Sequence, residues 1–153
     1  MRKSAIISKD GQHRYSLGRI WDEGLPQVLF IMLNPSTADA EKEDPTIRRC
    51  LRYAESWGYG GLWVGNLFSY RTAYPKMLSG KDNLTQLNLE HLEQMSQCTS
   101  QTICAWGNGR GWPTYITDHF AELHYLDLSK NGTPKHPLYL KGSLRPVRYE
   151  VEE

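Results

Sequence analysis

Six consecutive apolar residues, Val28-Leu29-Phe30-Ile31-Met32-Leu33, pass directly into Asn34-Pro35-Ser36-Thr37, and this junction narrows the folds open to the chain. An unbroken apolar run of strand length reads as a strand buried on both faces, the kind found in parallel sheets covered by helices. Asn34 then stands where that strand leaves the core. Proline fixes its own φ and pushes the preceding residue out of the helical region, so Asn34-Pro35 forms a sharp exit. Ligands of open parallel sheets bind just outside the carboxyl ends of the strands. The exit is therefore either a plain polar turn or one wall of a site, and the other strand ends decide.

Upstream, Ala5 to Ile7 and Arg14 to Trp21 flank Lys9-Asp10-Gly11-Gln12, an Asp-Gly hairpin signal, with Tyr15, Leu17, Arg19 and Trp21 expected on one face of an edge hairpin. Downstream of an acidic loop, Asp39 to Glu43, Asp44 is suited to cap a helix with Pro45 at its first position. Ile47, Cys50, Leu51, Ala54 and Trp57 then form one apolar stripe, and Gly58 suits the left-handed stop. Arg48, Arg49 and Arg52 lie off that stripe and read as a solvated face. A second strand, Leu62 to Leu67, also ends at an asparagine, Asn66, and a loop through Pro75 and Gly80 follows. A helix is expected from Asn83, with Leu84, Leu87, Leu92 and Met95 on its buried side. A third strand, Thr102 to Trp106, enters Gly107-Asn108-Gly109-Arg110-Gly111, whose backbone N–H groups can approach a phosphate or a base. The spacing matches neither a dinucleotide fingerprint nor a P-loop. A helix to about Glu122, a fourth strand Leu123 to Leu128 and a basic loop Lys130 to Pro137 complete the reading.

This alternation implies a single α/β domain over residues 1–153, a three-layer α/β/α sandwich. Its central sheet is expected to be mostly parallel, with about four strands plus the N-terminal antiparallel hairpin. All strand exits then lie on one side, where Asn34, Asn66, the glycine turn and His136 converge. With 23% charged and 39% hydrophobic residues the chain has a globular composition. No apolar run approaches the roughly 18 residues of a membrane span. The short apolar start also argues against a signal peptide, so a cytoplasmic protein without membrane partners is expected. Cys50, Cys98 and Cys104 are odd in number and widely spaced, which argues against a disulfide framework or a zinc site. No metal or other cofactor is expected. The net charge is +1, but from Ser129 to Tyr149 the chain carries Lys130, Lys135, Lys141, Arg145 and Arg148 with no Asp or Glu. A one-signed stretch of this kind can neutralise phosphates, or simply be a solvated tail.

The order of the strand exits resembles the uracil-DNA glycosylase superfamily. Leu33-Asn34-Pro35 is similar to its water-positioning motif, in the form of the mismatch-specific branch with Asn in place of Asp. Val64 to Arg71 resembles the second-strand motif, Cys104-Ala105-Trp106-Gly107 the third, and His136-Pro137-Leu138 the final His-Pro-Ser loop, with Leu138 where Ser is usual. The chain resembles more closely an uncharacterised family of small bacterial and phage proteins described only as a domain of unknown function. That resemblance rests on Ile31 to Ala38, Asp44-Pro45-Thr46 and Ala105 to Gly109.

The glycosylase resemblance implies hydrolysis of an N-glycosidic bond to a damaged or modified base in nucleic acid. Asn34 would orient water through its carbonyl, and His136 would stabilise the departing base. Pro35, Ser36, Asn66, Phe68, Gly107, Asn108 and Arg110 are the expected substrate-binding residues. Lys135, Tyr139, Leu140, Lys141, Ser143 and Arg145 are the expected contacts to DNA, with Tyr139 or Leu140 as a wedge. The acidic loop points the other way, toward a hydrolase of a free nucleoside or nucleotide. An asparagine in place of an ionisable base also fits a non-catalytic nucleic-acid or nucleotide-binding module.

Overall fold

The structure, a computed structural model, describes residues 1–78 and 86–150. Seven strands form one sheet: β1 (Arg2–Ile7), β2 (Arg14–Ile20), β3 (Gln27–Met32), β4 (Gly61–Asn66), β5 (Gln101–Cys104), β6 (His124–Tyr125) and β7 (Val147–Arg148). Their order across the sheet is β1-β2-β4-β3-β5-β6-β7. The helices are α1 (Pro45–Ser56), α2 (Gln86–Gln97) and α3 (Thr114–Thr117), with a 3-10 turn at Pro75–Leu78.

The α/β class holds, but the sheet is larger and less parallel than the expected four strands with a separate hairpin. β3 pairs in parallel with β4 and β5, and β5 with β6, whereas β1–β2, β2–β4 and β6–β7 are antiparallel. The hairpin is continuous with the sheet because β2 is buried along its length and pairs with β4, from Leu17 opposite Val64 to Ile20 opposite Gly61. At the other edge β7 covers β6, a two-residue pairing too short to leave a sequence pattern.

Alternate residues of β3 explain why its sequence is apolar throughout. Val28, Phe30 and Met32 pack with Ile47, Cys50, Tyr53 and Ala54 of α1, while Leu29 and Ile31 pack with Leu92 and Met95 of α2 and Ile116 of α3. Helices thus cover both faces. α1 starts as the sequence implies: the Asp44 carboxylate accepts the Ile47 N–H at 2.9 Å, Pro45 follows, and Gly58 takes a φ of 84° just beyond the end.

Elsewhere the elements are shorter or turned. The helix after the glycine turn is one turn long, because the chain beyond it bends so that Phe120 and Leu123 join Ile116 in one apolar cluster. The fourth strand shrinks to His124–Tyr125, since the Asp127 carbonyl accepts the Lys135 N–H and Leu128 bridges Pro134. In α2 the buried face carries Asn88, Leu89, Leu92 and Met95, and Leu87 is exposed. Asn88 sets that phase by donating to the carbonyls of Asn66 and Leu67. Gly80, Asn83 and Leu84, expected in this region, lie outside the described residues.

The expected common face of β2 breaks at Tyr15. The β1–β2 register passes from Ile6 opposite Ser16 to Ile7 opposite Arg14, which leaves Tyr15 as the extra residue of a bulge. Tyr15 stacks on His91 of α2, while Arg14 turns toward α1 on the same side as Leu17 and Arg19. Among the described residues, no helix is long and apolar enough to cross a membrane.

Candidate functional site

The carboxyl ends of β3, β4 and β5 lie side by side, Met32 opposite Asn66 and Ile31 opposite Cys104. Just beyond them is a cavity of about 310 Å³ lined by Arg14, Met32, Leu33, Asn34, Pro35, Ser36, Asp44, Thr46, Ile47, Val64, Asn66, Thr72, Ala73, Pro75, Trp106, His136 and Leu138. Sequence segments as far apart as Arg14 and Leu138 thus meet at the strand exits, as a mainly parallel centre requires. The two expected catalytic residues, Asn34 and His136, line this cavity, and of the expected substrate-binding residues Pro35, Ser36 and Asn66 do so.

Asn34 is held in one orientation. Its amide Nδ2 donates to the Thr72 carbonyl at 2.7 Å and to the Pro35 carbonyl at 3.1 Å, so Oδ1 is the end left open to accept from a ligand or a water. The loop behind it is braced by Arg71, which donates to the Ser36, Thr37 and Gly11 carbonyls. Asn66, almost fully buried, presents the opposite polarity. Its Oδ1 faces the Arg14 guanidinium in a long contact of 3.5 Å, so Nδ2 is the end free to donate.

His136 is fixed in its tautomer by its own loop. Nδ1 accepts the Leu138 N–H at 3.2 Å, which places the ring proton on Nε2. Burial lowers its pKa below the ordinary histidine value, and the carboxylate of Asp44 opposes that only in part. The ring is therefore neutral at pH 7, with one hydrogen-bond donor at Nε2. Gly107 stands behind it. Its N–H donates to the Pro134 carbonyl at 2.8 Å, with a φ of 83° that a side chain would strain.

Two charged residues that sequence reasoning did not place here complete the walls. Arg14 is 2% exposed, and burial lowers its pKa to about 10, helped by Arg71 and Arg19 and opposed by Asp44. It donates to the Ala38 carbonyl at 3.0 Å. Asp44 uses Oδ1 to cap α1 and Oδ2 to accept the Ala38 N–H at 3.3 Å, so neither oxygen is idle. The capping signal was legible for Asp44. Nothing in the sequence marked Arg14, because the bulge at Tyr15 brings it to this face.

The remaining expected residues lie elsewhere. Phe68 is core, 1% exposed, with the Arg110 guanidinium 4.7 Å over its ring, so its face is covered. Asn108 accepts from the Thr133 hydroxyl at 2.7 Å, and with Gly107 it ties the glycine turn to the loop that carries His136. These residues position the site from behind. Leu140 packs against the apolar cluster of α1, Lys135 pairs with Asp127 at 3.1 Å, and Tyr139, Lys141, Ser143 and Arg145 are exposed. Tyr53 donates its hydroxyl to the Lys141 carbonyl and Trp57 its indole N–H to the Leu144 carbonyl, which fastens this segment along α1.

The arrangement can hold a small polar ligand between an acceptor at Asn34 and donors at Asn66 and His136. Among the described residues, no group of three or more His, Cys, Asp or Glu could hold a metal ion. No curated protein and no solved structure gives a significant match to the chain. A family model does, over residues 14–138, a span that runs from the buried arginine of the cavity to the loop of His136. The chain belongs to the family described as "Protein of unknown function (DUF1643)".

Proposed function

We propose that the cavity hydrolyses the N-glycosidic bond of a damaged or modified base in nucleic acid, in the manner of a uracil-DNA glycosylase, on a related fold. The observation that carries this reading is the shared lining of one cavity by Asn34 and His136, each with its polarity fixed by backbone hydrogen bonds. Cleavage builds positive charge on the sugar and negative charge on the leaving base. The Nε2–H of His136 donates to the base oxygen where that charge collects, and the Oδ1 of Asn34 orients the attacking water. Asn66 Nδ2 donates to an acceptor on the base edge. A cavity of about 310 Å³ lies at the small end of ligand pockets and suits one base with its sugar. Tyr139, standing out of the loop beside His136, is free to stack on a base next to the target, whereas Leu140, the other expected wedge, is held against the core.

A second reading, a binding module on the same fold, is favoured by the lack of a free general base. Asp44 is the cavity's carboxylate among the described residues, and both its oxygens are engaged. Incubation with single- and double-stranded oligonucleotides carrying uracil, hypoxanthine, xanthine or hydroxymethyluracil, followed by an assay for abasic sites, separates the two. Slow release of one base, reduced about 100-fold or more in His136→Ala, supports the hydrolase. Absence of abasic sites on every substrate supports the binding module.

A further inference from the structure

We propose that the groove between α1 and the loop after His136 binds a single strand of nucleic acid, with arginines on its phosphates and Tyr139 under one of its bases. This rests on the reading above and deepens it by naming a strand, not a free nucleoside, as the substrate. The groove, of about 480 Å³, is lined by Arg48, Arg49 and Arg52 on one side and by Leu138, Tyr139 and Leu140 on the other. It adjoins the cavity, because Leu138 lines both and Pro45 sits between the cavity residues Asp44 and Thr46.

The charge of the groove is unanswered by the protein. None of the three arginines makes an ion pair among the described residues. Arg49 lies 5.1 Å over the Tyr53 ring, and its buried Nε has no hydrogen-bond partner. Arg48 and Arg52 are one helical turn apart, so their guanidinium groups rise along the groove by about 6 Å. Lys141 and Arg145 extend the same sign along the loop.

Tyr139 supplies the second half of a strand-binding surface. It is 94% exposed and adopts a φ of 73°, a left-handed conformation that costs any residue with a Cβ. The loop geometry, fastened to α1 through Tyr53 and Trp57, holds the ring outward. A cationic groove with an aromatic platform is the usual surface for single strands, since an unpaired base offers its face for stacking and its phosphate for pairing. A paired base offers no free face.

The test is fluorescence anisotropy with an undamaged single-stranded oligonucleotide about a dozen nucleotides long, within the site sizes of about 4–16 nucleotides typical of single-strand grooves, titrated over a range of salt. Arg48→Ala/Arg49→Ala/Arg52→Ala is expected to weaken binding at least tenfold and to lower the log–log salt slope by about 2, each single-strand phosphate contributing about 0.7. Tyr139→Ala is expected to weaken binding about fivefold or more. Because Arg49 packs on Tyr53, the exposed pair Arg48→Glu/Arg52→Glu is measured as well and is expected to lose binding with its melting temperature retained. Wild-type affinity and slope in either arginine variant, preference for the duplex of the same sequence, or no strand binding by the wild-type protein overturns the proposal. The probe carries no altered base, so strand binding without abasic product would leave the groove standing and sink the hydrolase. Abasic product from an altered-base oligonucleotide, without binding of the undamaged strand, would do the reverse.

Discussion

Two charged segments flank the cavity, the acidic one at 36–44 and the basic one formed by α1 with residues 136–145, and they use their charges differently. In the acidic segment three of the four carboxylates, Asp39, Glu43 and Asp44, answer a need of the fold. Glu43 is held by the fully buried Arg19 at 2.6 Å and by Lys3 at 3.0 Å, and Asp39 accepts the N–H groups of Glu41 and Lys42. Burial pushes the Glu43 pKa up, but the hydrogen bonds and charges of Arg19 and Lys3 outweigh it and hold it below its ordinary value. Asp44 caps α1. Just outside the basic segment Lys135 and Arg148 are paired with Asp127, Glu122 and Glu150, whereas within it Arg48, Arg49, Arg52, Lys141 and Arg145 have no ionic partner among the described residues. A charge matched inside the protein serves folding; a charge left open along a groove is available to a ligand. The acidic loop, read from sequence, looked awkward beside a phosphate backbone. The pairing of Glu43 to Arg19 and Lys3 removes part of that objection.

The contrast breaks most readily at Arg19. Arg19→Met leaves Glu43 to Lys3 alone and takes the buried donor away from the Gly18 and Asp39 carbonyls, and is expected to cost about 2–4 kcal/mol. Arg52→Met, on the open side, is expected to cost no more than about 0.5 kcal/mol. Urea unfolding of both variants decides the matter, and equal losses would mean that the two segments do not differ in the way described. A smaller effect concerns pH. His136 has a folded pKa below 6.5, so between that lowered value and 6.5 the unfolded chain binds more protons than the native one. Stability is then fully present above pH 6.5 and declines as the pH falls through the window. His136→Gln is expected to flatten this slope; an unchanged slope would place the titration elsewhere. The smallest effect is expected at Lys135, whose charge is already answered by Asp127. Lys135→Ala should shift stability by less than about 0.5 kcal/mol and weaken strand binding less than Arg52→Ala does, and the reverse order would show that the paired lysine, not the open arginine, carries the contact.

Much of this organisation was legible in the sequence because it follows from local chemistry. The buried central strand, the Asp44-Pro45 start of α1 and the convergence of Asn34, Asn66 and His136 need only apolar runs, a cap and the geometry of parallel strands. What stayed hidden depends on partners far along the chain. The bulge at Tyr15 that delivers Arg14 is set by pairing with β1, and the phase of α2 is set by Asn88 bonding to the end of β4. Arg48, Arg49 and Arg52 read as a solvated face because nothing local shows that the loop after His136 lies beside them. Phe68, Asn108 and Arg110 lie off the cavity wall for the same reason: Phe68 is core with Arg110 over its ring, and Asn108 is tied to Thr133.

Everything proposed for this site requires that the cavity between Asn34, Asn66 and His136 receive a nucleobase. Titrating free uracil, hypoxanthine and xanthine into isotopically labelled protein, and following the side-chain amide signals of Asn34 and Asn66 with the ring nitrogens of His136, tests it most directly. The account predicts that at least one base shifts the amide signals of both asparagines and the Nε2 signal of His136, while the cleft beside Trp112 and Tyr149 stays unchanged. Shifts confined to that cleft, or none with any base, would contradict it.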